Sequence, residues 1–335
     1  MTARRLLSRL ALASCFALLG AGAALGVRRT EDPLALVPAD AATVGVVHWD
    51  ELRSNPLAAQ VFAQMDDVSV DGDGARFLRE TGLSPRHDID TMVLAMTRLG
   101  GGASSDGLVI FEGRFDLARI AGALTARSAV LVKGAPGDYY RLVSENGGRD
   151  GAVALVNAHL VVAGSESAVV AALGRRESGG AGGLMSGSEG LGRNLSRVDR
   201  DASAWALVDL TRFSSTQHEV HVDAHFQNGD GPSQAIVGAM KAVSLLALQA
   251  KVHGDAVDVS ATGVTADAES RGLIEDSLRG VLAMWRLAVQ EKSPELVSVI
   301  RRLRIENGDD GVSISGTLPG SLLRSLASNR QASKK

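Results

Sequence analysis

Three of the chain's seven histidines lie in one short segment, HEVHVDAH at residues 218–225. If this segment is extended, His221, Asp223 and His225 share one side, because alternate residues of a strand point to the same face. Neutral imidazole nitrogens and a carboxylate oxygen are ligands that Zn²⁺ accepts. The spacing therefore indicates a zinc site, and through it a metal-dependent hydrolase, as one interpretation of the chain.

The competing interpretation of residues 218–225 is a solvated polar loop. No histidine directly follows Asp223 or stands two residues before His221, so the segment departs from known metallohydrolase motifs. The remaining histidines are isolated, and the polar segment QNGDGPS follows after one intervening residue, Phe226. We favour the loop, and we predict no cofactor other than this alternative zinc ion.

A second acidic segment, DVSVDGDG at residues 67–74, is similar to the front of a calcium-binding loop. Such a loop needs a bidentate glutamate at its twelfth position, which is Leu78 here, and Glu80 lies two residues too far along. We therefore predict a plain acidic turn. The chain also lacks a phosphate-binding glycine loop, a dinucleotide fingerprint and a glycine-x-serine-x-glycine motif.

The longest apolar run, LALASCFALLGAGAALGV at residues 10–27, contains no charge. As a helix it would span roughly 27 Å, just short of a typical hydrocarbon core. Arg4, Arg5 and Arg9 precede the run, and no acidic residue occurs before residue 31. Basic residues before an apolar run hold the amino terminus in the cytoplasm, so this pattern predicts export of the rest of the chain.

Three fates of residues 1–27 remain open. The small residues at 21–24 suit cleavage by a signal peptidase, whereas Arg28 and Arg29 suit a helix retained in the membrane. Cys15, after Leu12-Ala13-Ser14, has the form of a lipid-attachment site, although the stronger apolar run follows the cysteine instead of preceding it. Each fate places the protein outside the cytoplasm, in the periplasm or cell envelope, and two of them leave the chain attached to the membrane through its amino terminus.

Composition excludes one class of partner. The net charge is −3, aromatic residues make up 4% of the chain, and no basic stripe interleaved with aromatic residues occurs. A nucleic-acid-binding surface needs such a stripe. The single cysteine is Cys15, so the rest of the chain cannot form an internal disulfide.

Short apolar runs bounded by small or turn-forming residues predict strands. These predicted strands cover residues 44–50, 91–97, 108–113, 139–144, 152–156, 159–164, 202–210, 243–252, 256–263, 303–306 and 312–316. Asp116 and Ser165 are predicted to begin helices, and an acidic cap precedes a later amphipathic helix. In that later helix, Ile274, Leu278, Val281 and Trp285 are predicted to mark the buried side. All three tryptophans, Trp49, Trp205 and Trp285, are predicted to pack in or near the core.

The order of these elements restarts after a Gly/Ser-rich segment. ASAWALVDL echoes ATVGVVHWDEL, and VSATGVTADAESRGLIEDSL repeats the layout of VIFEGRFDLARIAGAL. Short connections between consecutive strands require antiparallel pairing. We therefore predict an α+β protein with two tandem repeats, each an antiparallel sheet with helices on one face, preceded by an amino-terminal hydrophobic helix. The predicted boundaries are 1–27 for the signal or anchor, 36–177 and 201–327 for the repeats, 178–200 for a flexible linker, and 328–335 for a polar tail.

The segments LVPADAATVGVVHWDELRSNP, TGLSPRHDIDTMVLAM, EGRFDLARIAGAL and ASAWALVDL resemble a class of uncharacterised exported bacterial proteins with a duplicated α+β unit. The resemblance covers most of residues 36–327. It implies a fold and a non-enzymatic role in the envelope, but no catalytic residues. We therefore expect a binding or structural module, with the membrane and an envelope protein as partners, and no cleft in which titratable groups converge. The alternative is the zinc hydrolase that would use His221, Asp223 and His225.

Overall fold

The computed structural model describes residues 32–53, 55–57, 73–97, 106–143, 151–187, 189–213, 242–290 and 294–325. Four predictions lie outside these residues: the segment at 10–27, Cys15, the metal ligands His221, Asp223 and His225, and the polar tail. Most of the acidic segment at 67–74 also lies outside them.

The described residues form a mixed α+β structure built on one antiparallel sheet of twelve strands. The strands are β1 (Thr43–His48), β2 (Ile89–Met96), β3 (Gly107–Gly113), β4 (Val130–Val132), β5 (Tyr139–Leu142), β6 (Gly151–Asn157), β7 (Leu160–Ser165), β8 (Ala204–Asp209), β9 (Val243–His253), β10 (Ala256–Thr265), β11 (Arg304–Asn307) and β12 (Gly311–Pro319). Each predicted strand is present, with ends that shift by a few residues. The short strand β4 was not predicted, because its three residues are mostly exposed and follow no clear alternation.

Strands from both predicted repeats lie in the same sheet, whose order is β11-β12-β10-β9-β8-β1-β2-β3-β7-β6-β5-β4. The junction is the antiparallel pair of β1 and β8, in which Val46 lies opposite Trp205. On the other side of β1, Val46 lies opposite Val93 of β2. The centre of the sheet is therefore formed by the first strand of each half.

Seven α-helices accompany the sheet with both ends in the described residues, and residues 320–325 are also helical. They are α1 (Trp49–Arg53), α2 (Asp73–Thr81), α3 (Pro85–Asp88), α4 (Leu117–Ala126), α5 (Glu166–Glu177), α6 (Ala268–Val289) and α7 (Pro294–Arg302). The predicted caps are confirmed. Asp116 accepts a hydrogen bond from the amide of Arg119, Ser165 from that of Ala168, and Asp267 from that of Ser270. Among the described helices, none combines the length and the apolar character needed to cross a bilayer.

The helices do not all lie on one face of the sheet, so that part of the prediction is wrong. Neighbouring residues Val161 and Val162 of β7 point to opposite faces and are both buried. Val161 belongs to the core cluster that contains Ile120 of α4, and Val162 to the cluster that contains Val169 of α5. A strand with an unbroken apolar run can be covered on both faces, and β7 is such a strand.

Residues 178–200, predicted as a flexible linker, instead pack against the core. Leu184, Leu191 and Val198 are buried in the same cluster as α5. The amide of Leu184 donates to the carbonyl of Val37 at 2.8 Å. Glycines allow this segment to turn tightly, and its few apolar side chains suffice to hold it against the sheet.

Helix α6 differs from its prediction at its carboxyl end. Ile274 is buried against Val243 and Val312, and Leu278 packs beside them. Trp285 has 55% of its surface exposed, so its predicted burial is wrong, whereas Trp49 and Trp205 are buried as expected. Trp285 follows Ile274 by three helical turns on the same side, beyond the residues that pack against the sheet.

Candidate binding site

The central strands carry a row of side chains on one face of the sheet. Trp205, Val46 and Val93 lie side by side on β8, β1 and β2, and two residues further along β1, His48 lies opposite Thr91. Alternation along a strand places Val46 and His48 on the same face. The sheet register therefore brings an imidazole, a hydroxyl and an indole together.

Two segments close over this row. The first contains Asp32, whose Oδ1 accepts a hydrogen bond from the amide of Leu34 at the start of a 3₁₀ turn, Pro33–Leu36. The second is the loop before β8, in which Arg200 donates from Nη2 to Oδ2 of Asp32 at 2.7 Å. Both charged side chains are more than a third exposed, so they form the rim of the site.

The half-open space below these segments, which we name the His48 recess, has a volume of about 370 Å³. It is lined by Asp32, Pro33, Leu34, Val46, His48, Thr91, Val93, Arg200, Asp201 and Trp205. Small-molecule sites commonly have volumes of about 300–1,000 Å³ and combine apolar walls with a few placed polar groups. The volume of the recess lies near the lower end of that range.

The imidazole of His48 is buried and helps to position the loop. Its Nε2 lies 3.0 Å from the carbonyl oxygen of Arg200, which can only accept, so Nε2 carries a proton. The amide of His48 also donates to the carbonyl of Ser203. Nε2 is therefore not available as a general base.

The loop before β8 is braced from the other side by an ion pair. Lys251 donates from Nζ to Oδ2 of Asp199 at 2.7 Å, and this hydrogen bond lowers the pKa of the Asp199 carboxyl. The same bond raises the pKa of Lys251. The two residues after Asp199 line the recess, so the ion pair stabilises one wall.

Trp205 supplies a polar group that the fold leaves unused. Its side chain is 3% exposed, and among the described residues no acceptor lies within hydrogen-bonding distance of its Nε1–H. An unsatisfied buried donor costs on the order of 1–3 kcal/mol of stability. An acceptor oxygen on a bound molecule would remove that cost if the side chains covering the nitrogen move aside.

The expectation that no cleft gathers titratable groups is wrong, since Asp32, His48, Arg200 and Asp201 all line the recess. Three of them are engaged in bonds that hold the walls together. The sequence contained a weak signal for this site: His48 is the one polar side chain in the apolar strand VGVVH. The pairing of His48 with residues some 150 positions away could not be read from the chain.

A second polar cluster ties the other half of the sheet to α5. Tyr139 donates from its hydroxyl to Oε1 of Glu166 at 2.6 Å, and Arg141 donates from Nε to the same oxygen at 2.7 Å. The Arg141 bond is the largest cause of the lowered pKa of Glu166, and the bond to Glu166 raises the pKa of Tyr139. Glu166 is the first residue of α5, where a negative charge is favourable. We interpret this cluster as structural.

The described residues contain no set of three His, Cys, Asp or Glu side chains placed to hold a metal ion. His221, Asp223 and His225 lie outside that part of the chain, so the zinc site stays a prediction. The same holds for lipid attachment at Cys15.

No family model matches the chain, and no curated protein matches it. Solved structures match it at low sequence identity. Crystal form III of TP0453 is 12% identical, with a TM-score of 0.48 over 89% of this chain and 99% of that one. Crystal form I of TP0453 is 10% identical, with a TM-score of 0.43 over 90% and 99%.

Proposed function

We propose that this protein is an exported, non-enzymatic binding module of the bacterial envelope that holds a small molecule in the His48 recess. The observation that carries the proposal is the buried indole N–H of Trp205, which has no acceptor among the described residues and belongs to a side chain lining a recess of suitable volume. A ligand that supplies the missing acceptor would offset a cost that the empty fold bears.

The lining residues limit the chemistry of the ligand. Val46, Val93 and Leu34 favour an apolar body, and the N–H of Trp205 favours a carbonyl or other acceptor oxygen on it. The acidic side chains of Asp32 and Asp201 outnumber the single guanidinium of Arg200 at the rim, which disfavours a strongly anionic ligand. We infer a small, mixed polar and apolar molecule with at least one oxygen acceptor.

The test is the substitution Trp205→Phe, which keeps an aromatic ring and removes the donor. We expect native mass spectrometry of protein purified from envelope extracts to show a small-molecule adduct on the wild type and at least tenfold less on the variant. In ligand-free protein, the same substitution should leave the free energy of unfolding unchanged or raise it by about 1 kcal/mol, because an unsatisfied donor is lost. Trp49→Phe is the matched control, since Trp49 is buried outside the recess.

Equal adduct on the Trp205→Phe variant and the wild type would contradict the proposal. So would a wild-type protein that carries no adduct under conditions in which a known ligand-bearing envelope protein keeps its own.

The location outside the cytoplasm is part of the proposal and rests on the uncharged run at residues 10–27 and the arginines before it. The mass of the mature amino terminus after membrane fractionation separates a cleaved signal, a retained anchor and a lipid on Cys15. A reporter fused to the carboxyl end that is active only inside the cell would overturn the export assignment.

Internal duplication of an α+β unit is also proposed. It is supported by the strand order, because β1-β2-β3 and β8-β9-β10 extend in opposite directions from the central pair. The alternative of a zinc hydrolase rests on the spacing of His221, Asp223 and His225 alone. Sub-stoichiometric zinc in purified protein, unchanged by His221→Ala, would remove that alternative.

A further inference from the structure

Helix α6 presents large apolar side chains to solvent. The exposed fractions are 54% for Leu273, 42% for Met284, 55% for Trp285 and 67% for Leu287. Met284 and Leu287 follow Leu273 by 11 and 14 residues, so the three lie on one stripe of the helix, away from Ile274. Trp285 lies on the Ile274 side, beyond the sheet, so the exposed side chains are spread around the carboxyl-terminal half of α6. We name these four side chains the α6 apolar surface.

The carboxyl-terminal half of α6 is apolar around its circumference. Residues 281–289, VLAMWRLAV, contain one charge, Arg286, and most of them are exposed. A helix that is apolar all round is normally buried, and a contiguous exposed apolar area marks an interaction site. Of the eight large apolar side chains exposed in the described residues, four belong to this one helix. The α6 apolar surface therefore has the character of a binding surface.

The charge around this surface indicates what the occupant is. Residues 279–302 contain five basic and two acidic residues, a net charge of +3, in a chain whose total is −3. Arg286, Arg301 and Arg302 are exposed and form no salt bridge with any residue that the structure describes, whereas Arg279 is paired with Glu275 at 2.6 Å. A locally basic, apolar surface is complementary to an anionic, apolar one.

A recess at the end of α6 supports the same conclusion. It has a volume of about 400 Å³ and is lined by Gln290, Val297, Ser298, Arg301 and Arg302. Guanidinium groups bind phosphate with paired N–H donors, and an amide and a hydroxyl add further donors. Phosphate-binding groups thus stand next to apolar side chains, as a phospholipid requires.

We propose that the α6 apolar surface docks on an anionic phospholipid bilayer, with Arg286, Arg301 and Arg302 toward the headgroups. Amphipathic helices that lie in the bilayer interface combine arginine with tryptophan and leucine in this way, and tryptophan favours the headgroup level. A second copy of the chain fits less well, because a two-fold contact would bring like charges together. The proposal does not depend on the His48 recess, so failure of either one leaves the other standing.

Trp285 provides a local readout in the full chain. Trp49 and Trp205 are buried, and residues 1–48 contain no tryptophan, so a change in emission caused by lipid reports on α6 and not on the amino-terminal run. We expect vesicles of phosphatidylglycerol and phosphatidylcholine in equal amounts to shift the emission to shorter wavelength. Quenchers attached to the lipid chains should quench it, and Trp285→Phe should abolish both responses.

Variants separate the apolar from the charged contribution. Met284→Ser and Leu287→Ser should each weaken vesicle binding about tenfold, because each removes a side chain buried in the interface. Arg286→Gln and Arg301→Gln should each weaken binding to the anionic vesicles about fivefold, with little effect on vesicles of phosphatidylcholine alone. The matched controls, Val143→Ser and Lys133→Gln, change exposed residues near the opposite edge of the sheet and should have no effect.

Two results would overturn the proposal. One is Trp285 emission that responds equally in the wild type and in the Met284→Ser and Leu287→Ser variants. The other is an emission shift that depends on protein concentration without vesicles and accompanies a dimer in light scattering, which would assign the surface to a second copy.

Discussion

Helices α5 and α6 follow the same local rules and yet are covered very differently. Each begins at a side-chain cap, Ser165 or Asp267, and each has an apolar side that faces the sheet. In α5, Val169, Ala172 and Leu173 are buried, whereas only Ile274 is buried in the much longer α6. An amphipathic pattern therefore determines which side of a helix faces the sheet. Whether the other sides are covered by protein depends on segments that are distant in sequence.

The distant segments around α5 are identifiable. Leu34 and Leu36 of the first 3₁₀ turn, and Leu184 and Leu191 of the Gly/Ser-rich segment, belong to the same core cluster as α5. Arg175, near the end of α5, donates from Nε to the carbonyl of Leu36 at 2.8 Å, and burial lowers the pKa of its guanidinium. Among the described residues, the buried side chains that the amino-terminal half of α6 meets form a small cluster around Val243 and Val312.

The largest expected effect separates the two helices directly. Leu173→Ala, in the covered α5, should lower the free energy of unfolding by about 3 kcal/mol, because a buried leucine leaves a cavity. Leu287→Ala, in the exposed half of α6, should change it by less than about 0.5 kcal/mol. Urea unfolding followed by circular dichroism measures both. Equal losses of unfolding free energy in the two variants would show that the carboxyl-terminal half of α6 is buried in solution, contrary to the difference described here between α5 and α6.

Local elements could be predicted from the sequence, whereas contacts between distant segments could not. Strands such as β7 and β9 were predicted because their apolar runs and turns are local signals. The burial of Leu184 and Leu191 was missed because fifteen residues rich in glycine and serine have the composition of a linker. Two leucines that pack against a segment nearly 150 residues earlier produce no hydrophobic periodicity in the sequence.

The candidate site was beyond prediction for a related reason. The sequence directed attention to clusters of neighbours, such as His221, Asp223 and His225, because proximity along the chain is visible. The His48 recess is instead assembled by the register of three strands and by Asp32 and Arg200, which are far apart in sequence. Trp285 was predicted to be buried because its spacing places it on the same side of α6 as Ile274. That spacing does not show that the sheet ends before Trp285.

Glycines give the second comparison of covered and open regions. Gly183 in the Gly/Ser-rich segment has no room for a methyl group, since an added Cβ would lie 2.3 Å from the carbonyl oxygen of Ala35. Gly183→Ala should therefore lower the free energy of unfolding by about 2 kcal/mol. Gly280 in α6 has open space around it, so Gly280→Ala should raise the free energy by about 0.5–1 kcal/mol through helix propensity. Thermal unfolding of the two variants measures both changes in stability. An unchanged stability of the Gly183→Ala variant would support the prediction that residues 178–200 are a flexible linker.

The smallest effect concerns the charged cluster of Tyr139, Arg141 and Glu166 at the start of α5. The pKa of Glu166 is lowered in the folded protein from its ordinary value of 4.5, chiefly by the hydrogen bond from Arg141. A lowered carboxyl pKa means that its contribution to stability is complete above the unfolded value and is lost as the pH falls through the folded one. Glu166→Gln should therefore be less stable than the wild type near neutral pH, and the difference should vanish in acid, where the protonated glutamic acid resembles glutamine. Urea unfolding across that range measures the difference, with the exposed Glu189→Gln as control. A difference that persisted unchanged in acid would mean that Glu166 stabilises α5 by packing, and the two helix starts would then differ in contacts and not in charge.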